Sequence, residues 1–172
     1  MKKIAGKNVV LIGFMGTGKT EVGRLLAASL HRYLVDSDRA IVERVGKPIT
    51  EIFATFGEAY FRKQEKEVIL DLCGQSGLVL ATGGGVVLDP QNVEALQKSG
   101  FVIWLDASVT AIEQRLDGDE SRPLLANIDS LRALYHERTS VYRVAAHVRV
   151  DTTDKPPLAV VEEIVKILCQ QP

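Results

Sequence analysis

The chain is poor in cysteine, in net charge and in long apolar runs, and each shortage closes a class of answers. Only two cysteines occur among 172 residues, Cys73 and Cys169, far apart and outside any C-x-x-C pattern. That argues against a disulfide or a cysteine-based metal site, and the apolar helical surroundings of both predict buried thiols in a reducing cytoplasm. His31, His136 and His147 are scattered without ligand spacing, which argues against zinc. Lys and Arg total 21 against 22 Asp and Glu, for a net charge of −1, so no global field is present to hold nucleic acid or an anionic membrane. No segment approaches the roughly 20 apolar residues that a bilayer span needs. The apolar stretch after Met1-Lys2-Lys3 is interrupted by Gly13 and Gly16 and reads as a first core strand rather than a leader. The length suits one hydrophobic core, hence a single domain over 1–172. Without an obvious exposed apolar seam, a soluble monomer that binds small anions locally is expected.

What is present begins with Gly13-Phe14-Met15-Gly16-Thr17-Gly18-Lys19-Thr20, which fits G-x-x-x-x-G-K-[ST]. Asn8 to Ile12 is a short, largely β-branched run suited to a buried parallel strand, and Lys19 to Leu30 places Val22, Leu25, Leu26 and Leu30 on one helical face. The motif is therefore a strand-loop-helix turn. Its glycines let successive N–H groups point inward beside the positive end of a helix dipole, making an anion nest. Lys19 is expected to reach the β/γ-phosphates of a nucleotide and Thr20 to hold Mg²⁺.

Further short apolar or β-branched runs at Tyr33–Val35, Leu78–Ala81, Phe101–Leu105 and His147–Val150 alternate with helical patterns. This predicts an α/β fold, a parallel sheet covered on both faces with ligands at the carboxyl ends of its strands. Asp89-Pro90 supplies a helix cap and first-turn proline, Gly100 follows that helix, and Pro157 to Cys169 carries one apolar stripe. Two stretches interrupt the alternation. Residues 38–74 hold helical patterns without a strand and read as an acceptor-binding insertion. The polar stretch 117–128, with Gly118, Arg122 and Pro123, reads as a mobile lid or as an ordinary surface loop.

Asp36-Ser37-Asp38 follows the second strand. In extended backbone the two carboxylates would project to one side about 7 Å apart, one serving Mg²⁺ and the other an acceptor hydroxyl; a capped helix start is the competing reading. Arg62 and Glu65 are three apart at helical spacing, and spacing alone favours a surface ion pair. Thr82-Gly83-Gly84-Gly85 at a strand's carboxyl end allows a ligand to approach the main chain closely.

The phosphate loop, Asp36-Ser37-Asp38, Phe53-x-x-x-Gly57-Glu58-x-x-Phe61-Arg62-x-x-Glu65, Thr82-Gly83-Gly84-Gly85 and Arg122-Pro123-Leu124-Leu125 resemble, in order and spacing, the shikimate kinase family. The resemblance implies a three-layer, adenylate-kinase-like P-loop kinase fold with five parallel strands in the order 2-3-1-4-5, a substrate-binding insertion and a lid. It implies phosphorylation of shikimate by ATP with Mg²⁺, in aromatic amino-acid biosynthesis. Carried over by residue, Asp38, Lys19 and Arg122 would be catalytic. Gly13, Gly16, Thr17, Gly18, Lys19, Thr20, Glu21, Arg115, Arg122 and Lys155 would meet ATP, and Asp38, Arg62, Gly83, Gly84, Gly85 and Arg138 would meet shikimate. Thr20 and Asp36 would serve the metal.

Three departures stand out. The family usually reads R-x-P-L-Y where this chain has Arg138-Thr139-Ser140-Val141-Tyr142, so the direction of Arg138 is open. Glu21 replaces the usual Ser or Thr, which requires its side chain to turn away from the phosphates. Lys155 stands where an Arg near the adenine is frequent. The alternatives are another small-molecule P-loop kinase, for gluconate or a nucleoside monophosphate, and a non-catalytic nucleotide-binding regulator.

Overall fold

The computed structural model describes residues 6–116 and 128–170. Five strands, β1 (Asn8–Ile12), β2 (Leu34–Asp36), β3 (Val79–Ala81), β4 (Gly100–Asp106) and β5 (Val148–Asp151), form one sheet in the order β2-β3-β1-β4-β5 with every pairing parallel. Parallel neighbours demand crossovers, and these run through the helices α1 (Lys19–Leu30), α2 (Ser37–Val45), α3 (Ile49–Cys73), α4 (Pro90–Ser99), α5 (Val109–Leu116) and α6 (Ile128–Ala145), while α7 (Pro157–Gln170) follows the last strand.

Alternation along β1 sorts the core into two layers, because successive side chains point to opposite faces. Val9 and Leu11 join Val22, Leu26, Ile103, Val150, Val160 and Ile164, the face covered by α1 and α7. Val10 and Ile12 join Ile41, Ile69, Leu80, Leu96, Trp104 and Tyr142, the face covered by α2, α3, α4 and α6. Both faces of β1 are fully buried, which explains its unbroken apolar run.

Strand boundaries shift slightly from the sequence expectation. Tyr33 is 82% exposed and lies outside β2; its carbonyl still accepts the Val79 amide at 2.9 Å, but the paired register with β3 starts at Leu34. The fold also corrects the expectation for Cys169, which is exposed, while Cys73 is half-buried; the apolar stripe of α7 runs through Val160, Val161, Ile164 and Leu168 and leaves Cys169 off it. Residues 38–74 are spanned by α2 and α3. Within α3, Gly57 takes φ 79° and ψ 174°, breaking the helix between Phe56 and Glu58; a side chain would be strained at that positive φ.

Among the described residues, no helix is long and apolar enough to cross a membrane. The stretch read as a lid, apart from Ile128 at the start of α6, lies outside the described residues, and Arg122 with it.

Candidate active site

The carboxyl ends of β1, β2 and β3 meet at one edge of the sheet, and the candidate residues gather there. Between β1 and α1, Gly13, Gly16 and Gly18 take φ of 147°, 75° and 88°, the positive angles that curl a loop around an anion. Buried Thr17 donates its hydroxyl to the Phe14 carbonyl at 2.8 Å, pinning the loop from within. The Lys19 ammonium bridges the carbonyls of Gly13 and Phe14 at 2.9 and 2.8 Å, so it lies across the mouth of the nest. Glu21 turns to Arg24, one turn along α1, at 2.7 Å; that pairing holds its carboxyl below the usual range and leaves the loop's anion site to main-chain donors.

At β2 the extended reading of Asp36-Ser37-Asp38 gives way to the cap. Asp36 ends the strand and caps α2, its Oδ1 accepting the Asp38 and Arg39 amides at 3.0 and 3.4 Å. Its other oxygen accepts the Thr20 hydroxyl at 3.0 Å. The two carboxylates point to different neighbours, in a different geometry from an i, i+2 strand pair: Asp36 faces Thr20, whereas Asp38 on the first turn of α2 faces Gly83. Ser37 accepts the Gly83 amide at 3.0 Å, a contact that sequence spacing could not supply because its partner is 46 residues away.

The glycine turn after β3 is shaped by what stands against it. Thr82 ties it to the Leu11 carbonyl through both main chain and hydroxyl, each at 3.1 Å. A methyl group on Gly83 would run into the Asp38 carboxylate, and one on Gly85 into the Arg62 guanidinium. Gly84 has ordinary room on the side of Gly13, Met15 and Tyr142.

Arg62 enters from α3. Its guanidinium donates to Glu65 at 2.9 Å and reaches Glu58 at 3.2 Å, and it lies 5.2 Å over the Phe61 ring, which packs on Phe53 at 4.6 Å. The surface-pair reading is overturned: the Glu65 side chain is 2% exposed. Burial raises the Glu65 carboxyl above its usual range, with Arg62 opposing and the Asp38 charge adding to the rise. Burial opposes the charge on Arg62, yet Glu65 and Glu58 outweigh it and hold the guanidinium more firmly protonated. The i, i+3 spacing named this partnership correctly. Its depth was hidden, because burial depends on the helix lying against the sheet.

Arg138 on α6 is half-buried, with its Nε enclosed and unpaired, and its charge acts on both Glu65 and Tyr142. Asp38, Arg62, Glu65 and Arg138 thus form one electrostatic cluster beside the glycine turn. Across the phosphate loop, Arg115 donates to the Gly16 carbonyl at 3.2 Å and the Thr152 carbonyl at 2.6 Å, joining the loop to the end of β5. Lys155 pairs with Glu163 of α7 at 2.8 Å.

The chain as a whole is similar to known proteins of one family. The model of a family described as shikimate kinase matches residues 15–169. A shikimate kinase of Hahella chejuensis is 47% identical over 167 residues, covering 95% of this chain and 87% of the relative. The solved shikimate kinase of Acinetobacter baumannii, in complex with shikimate, superposes with a TM-score of 0.92 at 36% identity, covering 98% of this chain and 96% of that one. A gluconokinase of Sinorhizobium meliloti shares only the fold, at 16% identity and a TM-score of 0.64.

Proposed function

The chain belongs to the shikimate kinase family, and from that premise we propose that its cleft transfers the γ-phosphoryl group of ATP to a hydroxyl of shikimate, giving ADP and shikimate 3-phosphate. The observation that carries the assignment of roles is the convergence of Arg62 and Asp38 on neighbouring glycines of one turn. Shikimate offers one carboxylate and three hydroxyls. An arginine for the former and a carboxylate with main-chain groups for the latter are its chemical complement.

In this reading Arg62 and Arg138 hold the substrate carboxylate, Glu65 orients Arg62, and Gly83, Gly84 and Gly85 let the ring approach the backbone. Asp38 accepts the proton of the attacking hydroxyl as the new O–P bond forms and the bond to ADP breaks. Phosphoryl transfer asks the protein chiefly for alignment and neutralised charge. Main-chain donors of Gly13, Gly16, Thr17, Gly18 and Glu21 and the Lys19 ammonium meet that demand on the phosphates, with Arg122 as the remaining candidate. Arg115 and Lys155 stand at the end of the nest nearest β5, where the adenine would lie.

Thr20 and Asp36 bring two hard oxygen donors together at the loop's exit, a set that suits Mg²⁺, which keeps much of its water and shares phosphate oxygens. When bound there it would neutralise charge on the β- and γ-phosphates.

Steady-state kinetics of Asp38→Asn test the assignment. Turnover should fall by roughly 10²- to 10⁴-fold, the usual worth of a positioned base, with ATP affinity retained; near-wild-type turnover would remove Asp38 from the proton transfer.

A further inference from the structure

Tyr142 is absent from every role assigned so far, yet it is the largest fully buried side chain on the core face beneath the site. Its hydroxyl donates to the Gly84 carbonyl at 2.5 Å, across 58 residues of sequence. The ring stacks on Trp104 of β4 with centroids 5.9 Å apart, so the phenol has little freedom to move. Burial pushes its ionisation up to about 12, and the donor therefore keeps its proton at any physiological pH.

The contact matters for what the glycine turn can present. The Gly84–Gly85 peptide is planar and trans, so fixing the carbonyl fixes the N–H on its other edge, which must face away from Tyr142. A turn of three glycines has the least backbone stiffness of any tripeptide. Gly83 is held by Ser37 and Val86, and Gly85 accepts from Leu88; the central Gly84 carbonyl is gripped by Tyr142. Tyr142 also lies four residues after Arg138, on the same face of α6. This matters here because the chain has Ser140 inside that helix, whose hydroxyl returns to the Glu137 carbonyl at 3.3 Å, in place of a proline that would bend it.

We propose that Tyr142 is a positioning residue for the acceptor substrate: its hydroxyl locks the Gly84–Gly85 peptide against α6, so that the backbone edge facing the ring and the guanidinium of Arg138 keep one fixed spacing. The proposal rests on the shikimate-phosphorylating function stated above.

The variant Tyr142→Phe removes the hydroxyl and keeps the ring. It should raise KM for shikimate about tenfold, leave KM for ATP within about twofold, and lower kcat less than KM rises. Titration of Trp104 emission with shikimate should show the same loss of affinity, since this sole tryptophan stacks on residue 142. Trp104→Leu is the control, loosening the same packing while sparing the hydroxyl. It should lower the thermal midpoint while leaving KM for shikimate within about twofold. An unchanged KM for shikimate in Tyr142→Phe, an equal loss for both substrates, or an equal rise in Trp104→Leu would overturn the proposal. Absence of shikimate turnover in the wild-type enzyme would instead overturn the function on which it rests.

Discussion

The carboxylate of Asp38 fills the space that a side chain at residue 83 would need. Two elements far apart in sequence, the first turn of α2 and the turn after β3, are therefore pressed together where the proposed function puts the acceptor hydroxyl. The same relation recurs between Arg62 and Gly85, so each glycine makes room for one charged group of the site.

These two close approaches predict separable defects. Gly83→Ala should displace Asp38 and lower kcat with ATP affinity intact, whereas Gly85→Ala should displace Arg62 and raise KM for shikimate, each by about tenfold to a hundredfold. Steady-state kinetics with both substrates varied would tell them apart; identical profiles would mean the turn collapses as a unit.

Arg62→Ala should weaken shikimate binding by about 2 to 5 kcal/mol, because it removes a carboxylate partner from a desolvated site and strands Glu65. Calorimetric titration with shikimate reads this directly. ATP affinity should hardly change, and equal weakening of both ligands would mark the Arg62–Glu65 pair as purely structural.

Much of this arrangement was legible in the sequence. The phosphate loop announces itself because its glycines, lysine and threonine are contiguous and lie between a β-branched run and an apolar helical stripe. Asp38 and the three glycines stand out from their residue types at strand ends, but the strand order and the role of Arg62 come only through resemblance, since pairing between β1 and β3 joins residues about 70 apart. Burial was the main loss. Spacing made Arg62–Glu65 a surface pair, and only the docking of α3 shows Glu65 enclosed. Asp36-Ser37-Asp38 marks another limit: spacing alone leaves a helix cap and a pair of strand carboxylates equally open, and the fold makes Asp36 the cap with one oxygen while the other accepts the Thr20 hydroxyl.

A second buried acid anchors the far side of the cleft. Asp106, at the end of β4, accepts the Tyr135 hydroxyl at 2.9 Å and the Arg149 guanidinium at 2.7 Å, joining α6 to β5. Asp106→Ala should cost about 1 to 3 kcal/mol in urea unfolding, since it removes the buried acceptor that ties Tyr135 and the half-exposed Arg149 together. Tyr135→Phe should cost less than Asp106→Ala, because Arg149 keeps its partner; the reverse order would contradict this account of the junction.

The His147 ring accepts the Val102 amide through Nδ1 at 2.9 Å and stacks on Phe101. Burial lowers its pKa below the usual 6.5, helped by the Lys7 charge and outweighing an opposing contact with the Val102 backbone. With the folded value depressed, the unfolded chain binds more protons as pH falls. The stabilising contribution is thus complete above about 6.5 and lost as pH drops through the lower, folded value. Wild-type protein should lose more stability than His147→Gln between pH 8 and pH 5 in denaturant titrations; parallel losses would remove His147 from the acid limb.

The most direct test of the account is ADP release by the wild-type enzyme with Mg²⁺-ATP, comparing shikimate with gluconate and a panel of nucleoside monophosphates. Turnover with shikimate far above that with any other acceptor is the expected result; preference for another acceptor, or ATP binding with no turnover at all, would contradict it.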